Sequence, residues 1–298
     1  MFSFDFHSPI EALNFPLFSD KRLTLHIKRD DLIHPFISGN KWRKLKYILQ
    51  EAAAQQKTRL VTFGGAWSNH LLATACAGAK FGFNTTAFVR GEEVSNANLS
   101  LCKLFGMELR FVDRTAYKDK QALFHQNFGS DKQAYFIDEG GYSREGAKGC
   151  GDILDELSHA YSHIFCAAGT GTTLAGIAEA LAAKKSAIQL HGVPVLTGGA
   201  FIRNRIAELS TDSVANTCVL HTDYHFGGYA KTKPELTDFI KYFCTQTGIL
   251  IEPVYTGKLC YAVFDLAKDN YFANGDNILI IHTGGLVGLL GMEKSLHL

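Results

Sequence analysis

The sequence predicts an α/β protein of two units, each built on a mainly parallel sheet. Three observations carry that reading. Short apolar runs alternate with helical stretches along almost all of the 298 residues, the order that parallel βαβ layers require. Some runs are apolar at every position, such as Ile278-Leu279-Ile280-Ile281, and such a strand is covered on both faces. Seams fall near residues 41–45 and 140–150, so residues 45–145 form a smaller unit inserted in a larger one made of 1–44 and 146–298.

Residues 1–22 are poorly periodic and contain Pro9 and Pro16; alternation over 23–28 reads as a strand. A helix over 42–56 follows, because Trp42, Leu45, Ile48, Leu49 and Ala52 recur at helical spacing. Ser38 and Asn40 are good N-cap types ahead of it, and Gly39 permits a tight turn. Residues 59–63 read as a strand, 64–70 as a turn, and 71–81 as an alanine-rich helix stopped by Gly82. Then come a strand at 85–89, a helix at 98–105 ending at Gly106, a strand at 108–112, a helix at 117–128 and a strand at 134–137. After Gly140-Gly141 the rhythm resumes with a helix over 147–160, a strand over 164–168 and a helix over 174–181. A strand at 189–193 and a helix at 200–209 follow. Pro234 opens a helix over 234–247, where its missing N–H does no harm. Residues 250–251 lead into Glu252-Pro253-Val254-Tyr255-Thr256-Gly257-Lys258, then a helix over 259–267. The last strand, 277–281, ends in His282-Thr283-Gly284-Gly285.

Composition excludes several classes. Hydrophobic content of 46% and charged content of 20% are those of an ordinary globular chain. A net charge of +1 without like-charge runs gives no footing for nucleic acid or a membrane surface. The first ten residues lack the pattern of a secretory signal, and no apolar stretch reaches spanning length. The seven cysteines are scattered, with no Cys-x-x-Cys pair, and read as reduced buried thiols of a cytoplasmic protein; no metal site is expected.

Lys41 falls in the first turn of its helix, where the partial positive charge of a helix start makes a poor place for a cation. Either it is a solvated lysine beside Arg43, Lys44 and Lys46, or it is an amine of lowered pKa that forms a Schiff base. Gly169-Thr170-Gly171-Thr172-Thr173 lies between a strand and a helix. Its glycines let successive N–H groups point at one spot, the hydroxyls add donors, and the helix adds its positive end, so it reads as a phosphate cup. It has neither Walker nor dinucleotide spacing. Ser68-Asn69-His70 sits at another strand-to-helix junction, fit either to cradle a carboxylate or simply to cap the helix. Tyr229 lies in a Gly227-Gly228-Tyr229 turn, Tyr255 at a strand end, and Thr283 at the end of the last strand. All lie where α/β proteins bind ligands. A lysine with a phosphate cup and no Mg²⁺ ligands suggests pyridoxal phosphate rather than a nucleotide.

Six stretches together resemble a known family: Lys28-Arg29-Asp30-Asp31-Leu32, Gly39-Asn40-Lys41-Trp42-Arg43-Lys44-Leu45, Ser68-Asn69-His70, residues 169–176, Pro253-Val254-Tyr255-Thr256-Gly257-Lys258 and His282-Thr283-Gly284-Gly285. They resemble the 1-aminocyclopropane-1-carboxylate deaminase/D-cysteine desulfhydrase family of pyridoxal-phosphate enzymes, over nearly the whole chain. The resemblance implies the tryptophan-synthase-β-like fold (fold type II), a homodimer and a small amino-acid substrate. It implies that Lys41 holds the cofactor covalently and moves the α-proton. Lys44 and Thr170, Gly171, Thr172 and Thr173 would bind the phosphate, and Asn69 the ring oxygen. Ser68, Asn69 and His70 would hold the substrate carboxylate, with Ser68 a second proton carrier; Tyr229 and Tyr255 would face the substrate.

Cyclopropane-acid deaminases of that family carry Glu after the second tyrosine and Leu before the last glycine pair. This chain has Thr256 and Thr283, the pattern that resembles D-cysteine desulfhydrases. A carboxylate at the pyridine nitrogen favours the charged ring; a threonine hydroxyl can instead donate to a neutral nitrogen. The expectation is β-elimination from D-cysteine, with cyclopropane-acid deamination as the alternative. A non-catalytic binder of a phosphate metabolite is the alternative from another class.

Overall fold

A computed structural model describes residues 2–292. Among the described residues ten strands form two sheets: β1 (Ile10–Ala12), β2 (Thr24–Lys28), β3 (Arg59–Gly64), β4 (Asn84–Arg90), β5 (Glu108–Val112), β6 (Ala134–Phe136), β7 (His163–Ala168), β8 (Gln189–Pro194), β9 (Val219–Leu220) and β10 (Asn277–Ile281). The larger sheet runs β1-β2-β10-β7-β8-β9 and the smaller β5-β4-β3-β6. Among the described residues only β1, an edge strand, pairs antiparallel. The smaller sheet lies in sequence between β2 and β7.

The all-apolar strands are covered on both faces. Ile278 and Ile280 enter one core with Ile27, Phe165 and Val193; Leu279 and Ile281 enter the other with Ile164, Cys166 and Leu190. The smaller sheet repeats this, with Leu60 on one face and Val61 and Phe63 on the other.

The lysine helix, Asn40–Ala54, is unbroken through residues 41–45, where a seam was expected. Its apolar stripe, Trp42, Leu45, Ile48, Leu49 and Ala52, packs with Leu60, Ala73 and Ala77. Its opposite side lies on the Arg144–Gly151 helix so closely that a Cβ on Gly149 would come within 1.9 Å of Arg43 O. That helix in turn meets the Thr172–Ala183 helix, where a Cβ on Gly176 would lie 1.8 Å from Ala147 O. Two glycines therefore permit a three-helix stack between the sheets.

Several expectations need correction. The helix expected over 147–160 runs Arg144–Gly151 and gives way to a 3-10 turn, Asp152–Glu156. That turn delivers Asp152 to Lys46 at 2.8 Å and Glu156 to Arg43 at 2.8 Å, contacts that the local pattern does not reveal. The helix expected over 117–128 is Lys120–Phe128, because Asp119 accepts the Ala122 N–H at 2.9 Å and caps it there. The edge strands β1 and β9 and the short helices Pro16–Asp20 and Asp212–Asn216 carry no periodicity long enough to read.

A buried ion cluster joins the lysine helix to the larger sheet. Arg43 donates to both Asp30 oxygens, at 2.5 and 2.6 Å, and to both Glu156 oxygens, at 2.8 and 2.9 Å. Lys28 lies 2.7 Å from Glu156 and donates to Ser8 O and Oγ, and Ser8 Oγ donates to Asp30. Lys28 and Asp30 are fully buried. Removing one partner from such a cluster strands the others away from water, so Asp30→Ala is expected to destabilise the protein by about 3–5 kcal/mol. Urea unfolding of the two proteins measures this; a loss below about 1 kcal/mol would mean that water or a shifted carboxylate replaces Asp30.

Candidate active site

Lys41 stands where the lysine helix begins. The N-cap is Gly39, at φ +62°, and neither Ser38 nor Asn40 caps the helix. A Cβ on Gly39 would lie 1.9 Å from Thr283 O, so the helix start and the loop after β10 touch only because that residue is glycine. Asn40 is thereby released from capping. Its Nδ2 donates to Thr173 Oγ1 at 3.1 Å and its Oδ1 accepts from Lys41 Nζ at 3.1 Å. Burial, reinforced by the nearby Lys44 ammonium, lowers the Lys41 pKa to about 7.

The loop after β7 is the second half of the site. Gly171, at φ +83°, is the N-cap of Thr172–Ala183 and offers no side chain, so the first N–H groups of that helix remain free for a ligand. Thr170 Oγ1 and Thr172 Oγ1 lie 2.9 Å apart. Lys44 donates to Gly140 O at 3.0 Å, and a Cβ on Gly140 would lie 3.1 Å from Thr170 Cγ2, which puts Lys44 beside the cup. Burial also lowers the Lys44 pKa. A buried and a partly buried lysine, both of reduced basicity, beside an uncapped helix start are suited to an anion and an aldehyde.

Ser68 caps the Asn69–Phe81 helix, accepting the Leu71 N–H at 3.4 Å. Asn69 faces the glycine pair: a Cβ on Gly285 would lie 2.8 Å from Asn69 Nδ2. His70 is buried with Nε2 2.8 Å from Thr62 Oγ1, whose own proton goes to Ile137 O. Nε2 therefore carries the His70 proton, and Nδ1 is a buried acceptor without a protein partner. Burial, with Lys41 and Lys44 adding to it, keeps the ring neutral. What His70 can offer an anion is its backbone N–H, not its ring.

Tyr255 is not at a strand end: residues 249–253 form no strand, and Tyr255 is the N-cap of the Thr256–Lys268 helix. Its ring abuts Gly169, where a Cβ would lie 3.1 Å from Cε1. Tyr229 meets it edge-on at 6.0 Å between centroids. Burial raises the Tyr255 pKa well above the usual phenol range. The Thr256 hydroxyl donates to Glu252 Oε1 at 3.1 Å and accepts the Glu252 N–H at 2.9 Å. Its proton is thus committed, and toward a ligand it accepts rather than donates, the reverse of the sequence-based expectation.

Lys41, Lys44, residues 170–173, Ser68, Asn69, His70, Thr283 and the two tyrosines are linked by these contacts into one neighbourhood. Sequence reasoning missed Asn40, Glu252 and Lys258. Glu252 receives the N–H groups of Val254, Tyr255 and Thr256 at 2.7, 2.8 and 2.7 Å. Lys258 is a buried lysine in a helix's first turn, the signal already read at Lys41.

The fold and this cluster define an α/β protein with an amine of low basicity beside a phosphate-type cup. The chain belongs to the pyridoxal-phosphate dependent enzymes, whose family pattern matches residues 9–284, within the group of 1-aminocyclopropane-1-carboxylate deaminases and D-cysteine desulfhydrases. A Pyrococcus furiosus protein named as a putative 1-aminocyclopropane-1-carboxylate deaminase is 33% identical over 89% of this chain and 85% of its own. An Arabidopsis thaliana protein, named as a bifunctional D-cysteine desulfhydrase/1-aminocyclopropane-1-carboxylate deaminase, is 30% identical over 95% of this chain and 77% of its own. A crystal structure described as an ACC deaminase homologue superposes with a TM-score of 0.86 at 31% identity, covering 98% of this chain and 94% of that one. These enzymes use pyridoxal phosphate. Among the described residues no helix is long and apolar enough to cross a membrane.

A lysine reacts with an aldehyde as the neutral amine, the form present above its pKa. Since Lys41 loses its proton near pH 7 rather than 10.5, cofactor uptake by the apoprotein is expected to accelerate from about pH 6 to about pH 8 and then level off. Stopped-flow absorbance measures this; a rate still climbing toward pH 10 would contradict it.

Proposed function

We propose that the chain is a pyridoxal-phosphate lyase that eliminates the β-substituent of a small D-amino acid, D-cysteine first, giving pyruvate, sulfide and ammonia. The observation that carries this reading is Thr256, buried and hydroxyl-bonded where cyclopropane-acid deaminases of the resembled family carry Glu. Thr283 completes the pattern. In this reading Lys41 holds the cofactor, the 170–173 loop and Lys44 take its phosphate, and Asn69, Thr256 and Thr283 border its ring. Bound there, pyridoxal phosphate supplies an electron sink for the bond that breaks at the substrate Cα.

The chain's own residues do the rest. Ser68, Asn69 and the N–H groups at the start of their helix orient the substrate carboxylate. Lys41 Nζ, free and neutral, takes the proton from Cα, and its low pKa suits a base that works near neutral pH. Tyr229 and Tyr255 border the substrate, and Ser68 is placed as a second proton carrier. Thiolate leaves as sulfide, and one water completes the balance: D-cysteine and water become pyruvate, hydrogen sulfide and ammonia. The family likeness also supports a homodimer and a cytoplasmic location.

The second reading, cyclopropane-acid deamination, is favoured by the name carried by the Pyrococcus relative. Purified protein incubated with D-cysteine is expected to release sulfide and pyruvate in equal amounts. Turnover of 1-aminocyclopropane-1-carboxylate without sulfide release from D-cysteine would reverse the assignment. A colourless protein that gains no visible absorbance with pyridoxal phosphate would point instead to a non-catalytic binder.

Lys41→Ala is expected to lose the yellow colour that borohydride bleaches in the parent protein. It should also lose at least about 10²–10⁴-fold in turnover, the range for a positioned base. Retained, bleachable colour would remove Lys41 from this role.

A further inference from the structure

We propose that Lys258 is a positioning residue: its ammonium fixes the turn that carries Tyr229 and so holds that ring against Tyr255. The catalytic part of this proposal rests on the role given to Tyr229 above. Lys258 is fully buried in the first turn of the Thr256–Lys268 helix, a place whose field disfavours a cation. Its three N–H donors are matched by three carbonyls: Gly228 O at 2.7 Å, His225 O at 2.8 Å and Val195 O at 3.4 Å. Two of these lie in the Tyr229 turn, and the third follows β8.

The turn needs such a hold. Phe226, Gly227, Gly228 and Ala230 have φ of +51°, +94°, +117° and +54°. Phe226 and Ala230 carry side chains in a region that L-residues leave when free. The internal bonds of the turn are few: Gly228 N to His225 O at 3.0 Å, Lys231 N to Gly228 O at 3.1 Å and Gly227 N to His225 Nδ1 at 2.9 Å. Tyr229 itself is 46% exposed, so burial does not fix its ring. The same helix turn thus supplies both halves of the arrangement: Tyr255 as one wall, and Lys258 as the clamp on the other. Burial lowers the Lys258 pKa to about 8, against an opposing pull from Glu252, so at neutral pH the ammonium keeps all three donors.

Two measurements on the holoenzyme test this. In hydrogen exchange, Lys258→Met is expected to speed the amides of residues 225–231 about tenfold or more, with β7 and β10 unchanged; unchanged exchange in the turn would overturn the proposal. In steady-state kinetics with D-cysteine, Lys258→Met is expected to lower kcat/KM about tenfold in the parent and to add nothing in a Tyr229→Ala background. Full additivity of the two losses would also overturn it, since a merely structural lysine acts whether or not the ring is there. If Lys258→Met does not fold, Lys258→Gln, which removes the charge and one donor, is read in the same way. If D-cysteine is not turned over, the substrate assignment fails by itself, and the exchange measurement still decides the role of Lys258.

Discussion

The rest of the site depends on one buried guanidinium. Arg43 is shared between Asp30, just past β2, and Glu156, at the end of the turn that follows the Arg144–Gly151 helix. That double grip fixes both the height and the rotation of the lysine helix. Successive helical residues are set about 100° apart, so once Arg43 points at Asp30 and Glu156, the directions of Lys41 and Lys44 follow. Two cations, Lys28 and Arg43, face two carboxylates, Asp30 and Glu156, so the cluster is neutral as well as closed. A buried cluster of this kind adds little net stability over an apolar one of the same shape. What it contributes here is register, because the helix cannot slide or turn without breaking several charged hydrogen bonds together.

The same helix also sets two lysine amines together where, among the described residues, no carboxylate pairs with them. Lys41 and Lys44 both have lowered basicity, and His70 beside them is held neutral. Each is a small local cost to folding, because burial without a counter-charge disfavours the ionised form. The ion cluster and the glycine-mediated stack hold these groups in place despite that cost. Amines of lowered basicity suit covalent chemistry with an aldehyde, because the neutral amine is the reacting form.

Much of this was legible in the sequence, and what was not has physical causes. The apolar strands, the glycine stops and the strand-to-helix turns of both sheets are local signals, and, apart from the helix expected over 147–160 and the strand end expected at Tyr255, the elements stand within a few residues of where they were expected. Ser68 caps its helix as its residue type suggests. Ser38 and Asn40 have the same propensity but do not cap, because contact with Thr283 sets the helix start at Gly39. The turn at Asp152–Glu156 was hidden because its cause, Arg43 and Lys46, lies more than a hundred residues away. Glu252 and Lys258 were hidden for another reason. Each was read as part of a motif, yet what matters is that one gathers backbone N–H groups and the other backbone carbonyls, and backbone partners leave no mark in a sequence.

The helix starts themselves locate the ligand. Four of them border the site: Asn40–Ala54, Asn69–Phe81, Thr172–Ala183 and Thr256–Lys268. The chain supplies acceptors at three of them: the Ser68 hydroxyl takes the Leu71 N–H, the Glu252 carboxylate takes the Thr256 N–H, and Thr283 O, Ser38 O and Gly39 O take the N–H groups of Asn40, Lys41 and Trp42. The fourth begins at Gly171, which brings no side-chain acceptor. Unpaired N–H groups at a helix start call for an acceptor, and this start is tied to the lysine helix by the hydrogen bond from Asn40 to Thr173. Lys41 stands in the first turn of the lysine helix, and Lys44 reaches the loop bordering the Gly171 start. The open start at Gly171 is thus where the chain leaves room for an acceptor, and the Asn40–Thr173 bond and the reach of Lys44 set the lysine helix beside it.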